Sequence, residues 1–302
     1  MQAQPSINQK MQMELKVTTY SVDDDGVATV RFNRPNRGNS WTLRMNAEYR
    51  WIMNEADRDP AVKVIILTGA GKQFCVGADF KALDFYVEGD KDYVETVRPD
   101  QFAQPGHGVR KEFDHELVWH WGLKKPVICA INGACAGIAI AIAGFCDLRY
   151  GVAGAKLTTA AARLGLPAEY GMAWLLPRLM GMTHAADVLL TGRIFLAEEA
   201  KHMGFLNDVF APEEFEVRIA EIARTIALTV SPQAALTTKR QLYGELMELD
   251  VGECVEDSKR LIGELMRGDD YKEGVAALQQ RRSPRFAGLG DRSAPPQQAA
   301  KA

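Results

Sequence analysis

The sequence predicts an α/β fold followed by an all-helical C-terminal region, and two patterns carry that expectation. Between residues 17 and 152, short β-branched or wholly apolar runs alternate with stretches of helical spacing. That alternation is what parallel strands joined by helical crossovers require. From Pro212 onward the strand-type runs stop and apolar residues recur at helical spacing only. With 47% hydrophobic and 25% charged residues in a chain of 302, there is enough apolar material for a sizeable core.

The elements follow in order. Residues 1–13 are polar and read as a loose N-terminal extension to a core over 14–211. Segments 17–20 and 27–32 flank the turn Asp23-Asp24-Asp25-Gly26 and predict a β-hairpin. Pro35 and Gly38 mark a loop, and a helix is expected over 43–56. VKVIILT (62–68) is a strand apolar on both faces. A loop over 69–77 leads to a helix starting near Asp79, and 87–109, polar and rich in Gly, Asp and Pro, reads as a lid. A helix over 111–121, a strand over 127–131, a helix over 138–146 and a strand over 148–152 complete the alternation. Three helices, 213–229, 232–247 and 254–266, make up most of the C-terminal region at 212–286. The tail at 287–302 has the Gly/Pro/Gln/Ala composition of a disordered segment.

Several function classes are excluded. A net charge of −3 does not supply the concentrated basic face that nucleic-acid binding needs. Five cysteines (Cys75, Cys129, Cys135, Cys146 and Cys254) are scattered and form no CxxC pair, so neither a disulfide framework nor a zinc site is implied. A reducing cytoplasm is the expected compartment, and the N-terminal residues lack the apolar region of a secretory signal. Residues 126–146 are uncharged and long enough to span a bilayer. However, Asn132, Gly133 and Gly137 break the run, and much of it is alanine. A strand, a turn and a buried helix of small residues account for it better. His115 and His120 stand five apart, the wrong spacing for a metal pair on one helix face, and they read as solvated; no metal site is expected. The fragment Gly69-Ala70-Gly71-Lys72 lacks the spacer and the following Ser/Thr of a phosphate loop and reads as a turn.

Two glycines stand where chemistry is expected. Gly77 precedes Ala78 and Gly137 precedes Ile138, each at an expected helix start, where backbone N–H groups are unpaired and carry a partial positive charge. Two such amides converging on one carbonyl oxygen would form an oxyanion hole. The alternative is that both glycines serve tight turns. Trp119, Trp121 and Trp174 are either core residues or walls of a pocket, and Asp147, closing the buried helix, reads as a structural carboxylate.

Three segments together resemble the crotonase (enoyl-CoA hydratase/isomerase) superfamily. They are Asp59-Pro60 with VKVIILTGAGKQFCVGADFKAL, then KPVICAINGACAGIAIAIAGFCDLRYG, and finally EGVAALQQRRSPRF up to Phe286. The resemblance runs from about Val17 to Phe286. It implies a ββα spiral core with a C-terminal helical oligomerisation region, assembled as a homotrimer or a dimer of trimers. It also implies an acyl-CoA thioester as substrate, with coenzyme A entering as part of that substrate and no separate cofactor, nucleic acid or membrane as partner. By the same resemblance Ala78 and Ile138 are the oxyanion donors beside Gly77 and Gly137, and Lys81, Arg37 and Arg281 could approach the coenzyme A phosphates.

The acid/base residue departs from the two-glutamate hydratases of that family. The positions of their glutamates fall here on Ala141 and Ala161. Glu169, in RLGLPAEYG, matches instead the acidic position of the family's isomerases, where one carboxylate suffices to move a proton along an enoyl thioester. Leu164, Leu166, Met172 and Trp174 are expected to supply the apolar surroundings that would raise its pKa. The rival expectation is a loop carboxylate paired with Arg163 or Arg178. Enoyl-CoA isomerisation is therefore favoured, with hydration of a 2-enoyl-CoA close behind. A non-catalytic acyl-CoA-binding or assembly protein is the alternative from another class.

Overall fold

The computed structural model describes residues 13–79 and 113–290. Their centre is a six-stranded sheet in the order β1-β2-β3-β4-β6-β9. β1 (Thr18–Val22) and β2 (Val27–Phe32) form the expected hairpin. The turn closes when the Asp23 carboxylate accepts from the N–H groups of Asp25 and Val27. β2, β3 (Val64–Gly69), β4 (Val127–Ile131), β6 (Leu148–Val152) and β9 (Asp208–Phe210) then pair in parallel. A smaller sheet, in the order β5-β7-β8, joins β5 (Cys135–Ala136), β7 (Lys156–Thr158) and β8 (Phe195–Leu196).

Strand alternation divides the core into two halves. Ile65, Leu67, Val127, Cys129 and Ile131 face a large cluster shared with helix α1 (Leu43–Arg58) and helix α2 (Ile138–Phe145). Their neighbours Val64, Ile66, Ile128 and Ala130 point to the opposite face. There helix α5 (Phe215–Thr229) covers the sheet with Phe215, Ile219, Ala223 and Ala227. Each of those large aliphatic side chains contributes about 1.5–3 kcal/mol by leaving water. The uncharged run at 126–146 is divided among β4, β5 and α2, and among the described residues no helix is long and apolar enough to cross a membrane.

The remaining helices are α3 (Met172–Thr191, interrupted at Gly181), α4 (Ala197–His202), α6 (Pro232–Gly244), α7 (Val251–Leu265) and α8 (Asp269–Gln280). α3, α4, α8 and the small sheet were not expected from the sequence. Conversely, the helix expected over 111–121 shrinks to a 3-10 turn at Val118–Gly122, because Leu117 takes a positive φ of 61° that no regular helix admits. His120, expected in solvent, is instead fully buried and stacks on Trp119. Its Nε2 lies 2.6 Å from the Tyr49 hydroxyl, and burial lowers its pKa to about 3. Trp119 and Trp121 belong to the core. The lid at 87–109 and the helix expected to start near Asp79 lie outside the described residues.

Asp147 ties the helical region to the sheet. Its carboxylate accepts from Val127 N–H (2.7 Å), Lys239 Nζ (2.7 Å) and the Tyr243 hydroxyl (2.8 Å). Lys239 also donates to Lys125 O at 3.0 Å, so this buried ammonium has few other partners to turn to. The structural role expected of Asp147 is the one observed. Asp147→Ala strands a buried cation and two donors, so a loss of about 3–5 kcal/mol is expected, read as a lower urea midpoint. An unchanged midpoint would mean that water reaches all three groups.

Candidate active site

The candidate site is built on the carboxyl ends of two adjacent parallel strands. β3 and β4 pair from Ile65↔Val127 to Leu67↔Cys129, so the loops that follow them leave the sheet on the same side. In open α/β sheets that edge is where ligands bind. Asn132 fastens the loops together at their roots. Its Oδ1 accepts from Gly69 N–H at 3.0 Å, and its Nδ2 donates to Gly69 O and Gly71 O, each at 2.9 Å. Gln73 Oε1 accepts from Ala134 N–H at 2.8 Å.

One step further, Cys75 and Cys135 form an isolated parallel bridge. Cys75 N–H donates to Ala134 O (3.1 Å) and Ala136 N–H donates to Cys75 O (3.0 Å). The bridge brings the two expected glycines together. Gly77 has φ 97°, and a Cβ added there would lie 3.3 Å from Ala136 O. Gly137 has φ 57°, and a Cβ added there would lie 3.8 Å from Gly77 Cα. Both positions have a positive φ that favours glycine, and at Gly77 the neighbouring chain also approaches closely.

The two glycines ahead of the expected oxyanion amides therefore sit side by side. Gly77 O accepts from Trp41 N–H at 2.7 Å. Because a trans peptide points its C=O and N–H in opposite directions, Ala78 N–H faces away from Trp41. Ile138 opens α2, and Gly137 ahead of it is fixed by its N–H to Thr158 O at 3.0 Å. Neither the Ala78 nor the Ile138 N–H has an acceptor among the described residues. Ile138 N–H additionally carries the positive end of the α2 dipole.

Glu169 lies in the turn ahead of α3. Tyr170 (φ 48°) and Gly171 (φ 73°) are both left-handed there, and Met172 N–H donates to Glu169 O at 2.9 Å. A Cβ on Gly171 would meet the Phe145 ring at 3.9 Å, so the turn rests on the last residue of α2. Ile138, the second expected oxyanion position, opens that same helix. The Glu169 carboxylate is half-buried, makes no hydrogen bond or ion pair among the described residues, and has its pKa raised by burial. The rival expectation of an arginine pair is not met. Arg163 Nε donates to Thr191 O, while Arg178 stacks 3.8 Å over the Trp174 ring and donates to Trp174 O. The expected apolar wall is only partly present: Met172 is buried, but Leu164 and Leu166 are exposed, and Phe145 takes their place. Ala141 and Ala161 are both buried.

Of the expected coenzyme A cations, Arg37 is exposed on the loop that abuts the segment ahead of Gly77, since Gly38 O accepts from Val76 N–H. Arg281 is exposed at the left-handed end of α8 and has no side-chain partner among the described residues. Lys81 lies outside the described residues. Sequence reading missed the scaffold behind the site, namely Arg34, Asn39, Ser40 and Asp79. The one local signal was the Pro35/Gly38 loop, which named a turn but not its partners. Among the described residues no group of three His, Cys, Asp or Glu is placed to hold a metal.

The family model described as enoyl-CoA hydratase/isomerase matches residues 23–289. The chain is 34% identical over 268 residues to a 1,2-epoxyphenylacetyl-CoA isomerase of Escherichia coli, covering 88% of this chain and 96% of the relative. It is 32% identical over 267 residues to an (E)-benzylidenesuccinyl-CoA hydratase of Thauera aromatica, covering 87% and 96%. Among solved structures, a probable enoyl-CoA hydratase/isomerase of Mycobacterium abscessus superposes with a TM-score of 0.77 at 30% identity, covering 90% of this chain and 99% of the other.

Gly77→Ala tests the close approach. Strain of about 1–3 kcal/mol is expected from the positive φ, together with displacement of the Ala78 peptide. Gly165→Ala is the control, since Gly165 has a similar φ of 74° and nothing within 4 Å. Gly165→Ala should lower the melting temperature without altering the affinity for butyryl-CoA, whereas Gly77→Ala should lower both. Equal behaviour of the two variants would remove any special role for Gly77.

Proposed function

Because the chain belongs to the enoyl-CoA hydratase/isomerase family, we propose that it moves a carbon–carbon double bond in an enoyl-CoA thioester, with Glu169 as the single acid/base. The observation that carries this reading is the unpaired, half-buried Glu169 in a site whose two other acid positions, 141 and 161, hold buried alanines. A hydratase that shares one water between two glutamates has no carboxylates to do so here. The isomerase relative from Escherichia coli supports the same direction, and the Thauera hydratase keeps hydration as the second reading.

In the proposed reaction the Glu169 carboxylate takes a proton from C2 of a 3-enoyl thioester. The C–H electron pair moves into the carbonyl, and the dienolate oxygen is held by the N–H groups of Ala78 and Ile138. Glu169 then returns the proton to C4, leaving the conjugated 2-enoyl thioester with no atom gained or lost. An oxyanion donor of this kind contributes about 10²–10³ in rate and a positioned general base about 10²–10⁴. No cofactor is needed, because the thioester itself makes the C2 proton acidic. Arg37, Lys81 and Arg281 are the cations proposed for the coenzyme A phosphates. Self-association as a trimer or paired trimers is supported by α7, which buries no residue within the chain and leaves Val251 and Ile262 exposed beside the fully exposed Leu249. A cytoplasmic site fits the free, buried thiols of Cys75, Cys129, Cys135 and Cys146.

Matched 3-enoyl-CoA and 2-enoyl-CoA substrates, followed by chromatography and mass, decide the chemistry. Conversion of the 3-enoyl substrate without mass gain, reduced at least about 10²-fold in Glu169→Gln, is the expected result. Gain of one water on the 2-enoyl substrate would make the protein a hydratase. Binding without turnover of either would favour the non-catalytic alternative.

The pH profile gives a second check. Glu169 acts as base only when ionised, so kcat/KM should fall as pH drops through its pKa. Burial raises that pKa, so the acid limb should lie above the ordinary carboxylate range. An acid limb at or below that range would point to a different base.

A further inference from the structure

We propose that Arg34 is a positioning residue for the first oxyanion donor, acting through Ser40 and Asp79 on the Ala78 amide; the proposal rests on the oxyanion reading above. The problem it addresses is local. Ala78 N–H belongs to the peptide that follows Gly77, and glycine, free of a Cβ, lets such a peptide flip easily. Nothing on the ligand side holds that N–H among the described residues, as an oxyanion donor requires. The peptide must therefore be fixed from behind.

The structure shows what stands behind it. Trp41 and Ala78 form an isolated parallel bridge. Trp41 N–H donates to Gly77 O at 2.7 Å, and Asp79 N–H donates to Trp41 O at 3.0 Å, so the chain is gripped on both sides of Ala78. Trp41 provides the grip through its own N–H and C=O, and the residues next to the two bridge partners, Ser40 and Asp79, are fastened by one side chain. Arg34 Nη2 meets Asp79 Oδ2 at 2.9 Å, and its Nη1 donates to Ser40 O at 2.7 Å and Ser40 Oγ at 3.1 Å. Ser40 Oγ in turn donates to Asp79 Oδ2 at 2.9 Å. The planar guanidinium thus joins residues 40 and 79, the immediate neighbours of the two bridge partners. Lysine could offer the charge but not this fork. Arg34 is itself fixed at its root, since its N–H donates to Asn39 Oδ1 at 2.8 Å. The ion pair is largely shielded, with side-chain exposures of 22% and 12%, so salt screens it less than a surface pair.

A purely structural clamp would affect stability alone, so the test reads the carbonyl directly. Butyryl-CoA labelled with ¹³C at C1 has no double bond to hydrate or move, and its carbonyl stretch reports hydrogen bonding at the oxygen. Isotope-edited infrared spectra of the bound thioester should show a shift to lower wavenumber in the unaltered protein. In Arg34→Gln and Asp79→Asn that shift should shrink to about half, as one of two donors is misaimed. Turnover of the enoyl substrate should fall about 10- to 100-fold through kcat with KM little changed. Arg34→Lys should not restore the full shift. A full-sized shift in every folded variant would overturn the positioning role while leaving the oxyanion reading intact. No shift in the unaltered protein would overturn the oxyanion reading, and the clamp with it. Asp79→Asn, nearly isosteric, decides the matter should Arg34→Gln fail to fold.

Discussion

The candidate site depends on one small contact, the parallel bridge between Cys75 and Cys135. Two backbone hydrogen bonds there hold the loop after β3 against the loop after β4, just before each reaches its glycine. Without that bridge Gly77 and Gly137 would be two unrelated turns. With it, the two glycines meet, each followed by an amide that has no acceptor among the described residues, and one of those amides opens a helix. The side chains at the bridge are buried thiols whose pKa values are raised by burial, that of Cys75 to about 12, which keeps them protonated and inert.

Around the bridge the polar groups are arranged as supports. Asn132 and Gln73 tie the loops at their roots, Asn39 reaches Ala70 O and Gln73 O, and the Arg34–Ser40–Asp79 cluster closes the far side. Each satisfies backbone groups that the irregular loops leave without sheet or helix partners, which buried backbone requires. Further away, the buried Lys239–Asp147–Tyr243 group plays the same part for α6. Charge in this protein is spent mostly on holding chain in place. Glu169 is different, a half-buried carboxylate with no hydrogen bond or ion pair among the described residues.

That contrast gives the site its chemical character. An oxyanion hole made of backbone amides is rigid and costs little reorganisation when charge appears. A lone carboxylate whose pKa is raised by burial is a stronger base than an ordinary one, which suits taking and returning a proton. The turn that carries Glu169 rests on Phe145 of α2, the helix that Ile138 opens, and positions 141 and 161 hold buried alanines rather than carboxylates.

Much of this was legible in the chain itself. Strand and helix periodicity located β2, β4, β6, α1, α2 and α5 within a few residues, because burial on one face or both is written into the hydrophobic pattern. Gly77 and Gly137 were legible as candidates because glycine answers a local demand of the turn, and Glu169 because it matches the acidic position of the family's isomerases. Local pattern could not give the second sheet, whose strands are only two or three residues long, or α3, which carries Pro177 and a break at Gly181. Nor could it give the burial of His120, which follows from the left-handed Leu117 and a hydroxyl 71 positions away at Tyr49. The sequence by itself determined which backbone positions could be bent and which side chains could carry a proton. Tertiary structure decided which of them meet, because a bridge between residues 75 and 135, or an ion pair between 34 and 79, is a long-range contact that no local propensity specifies.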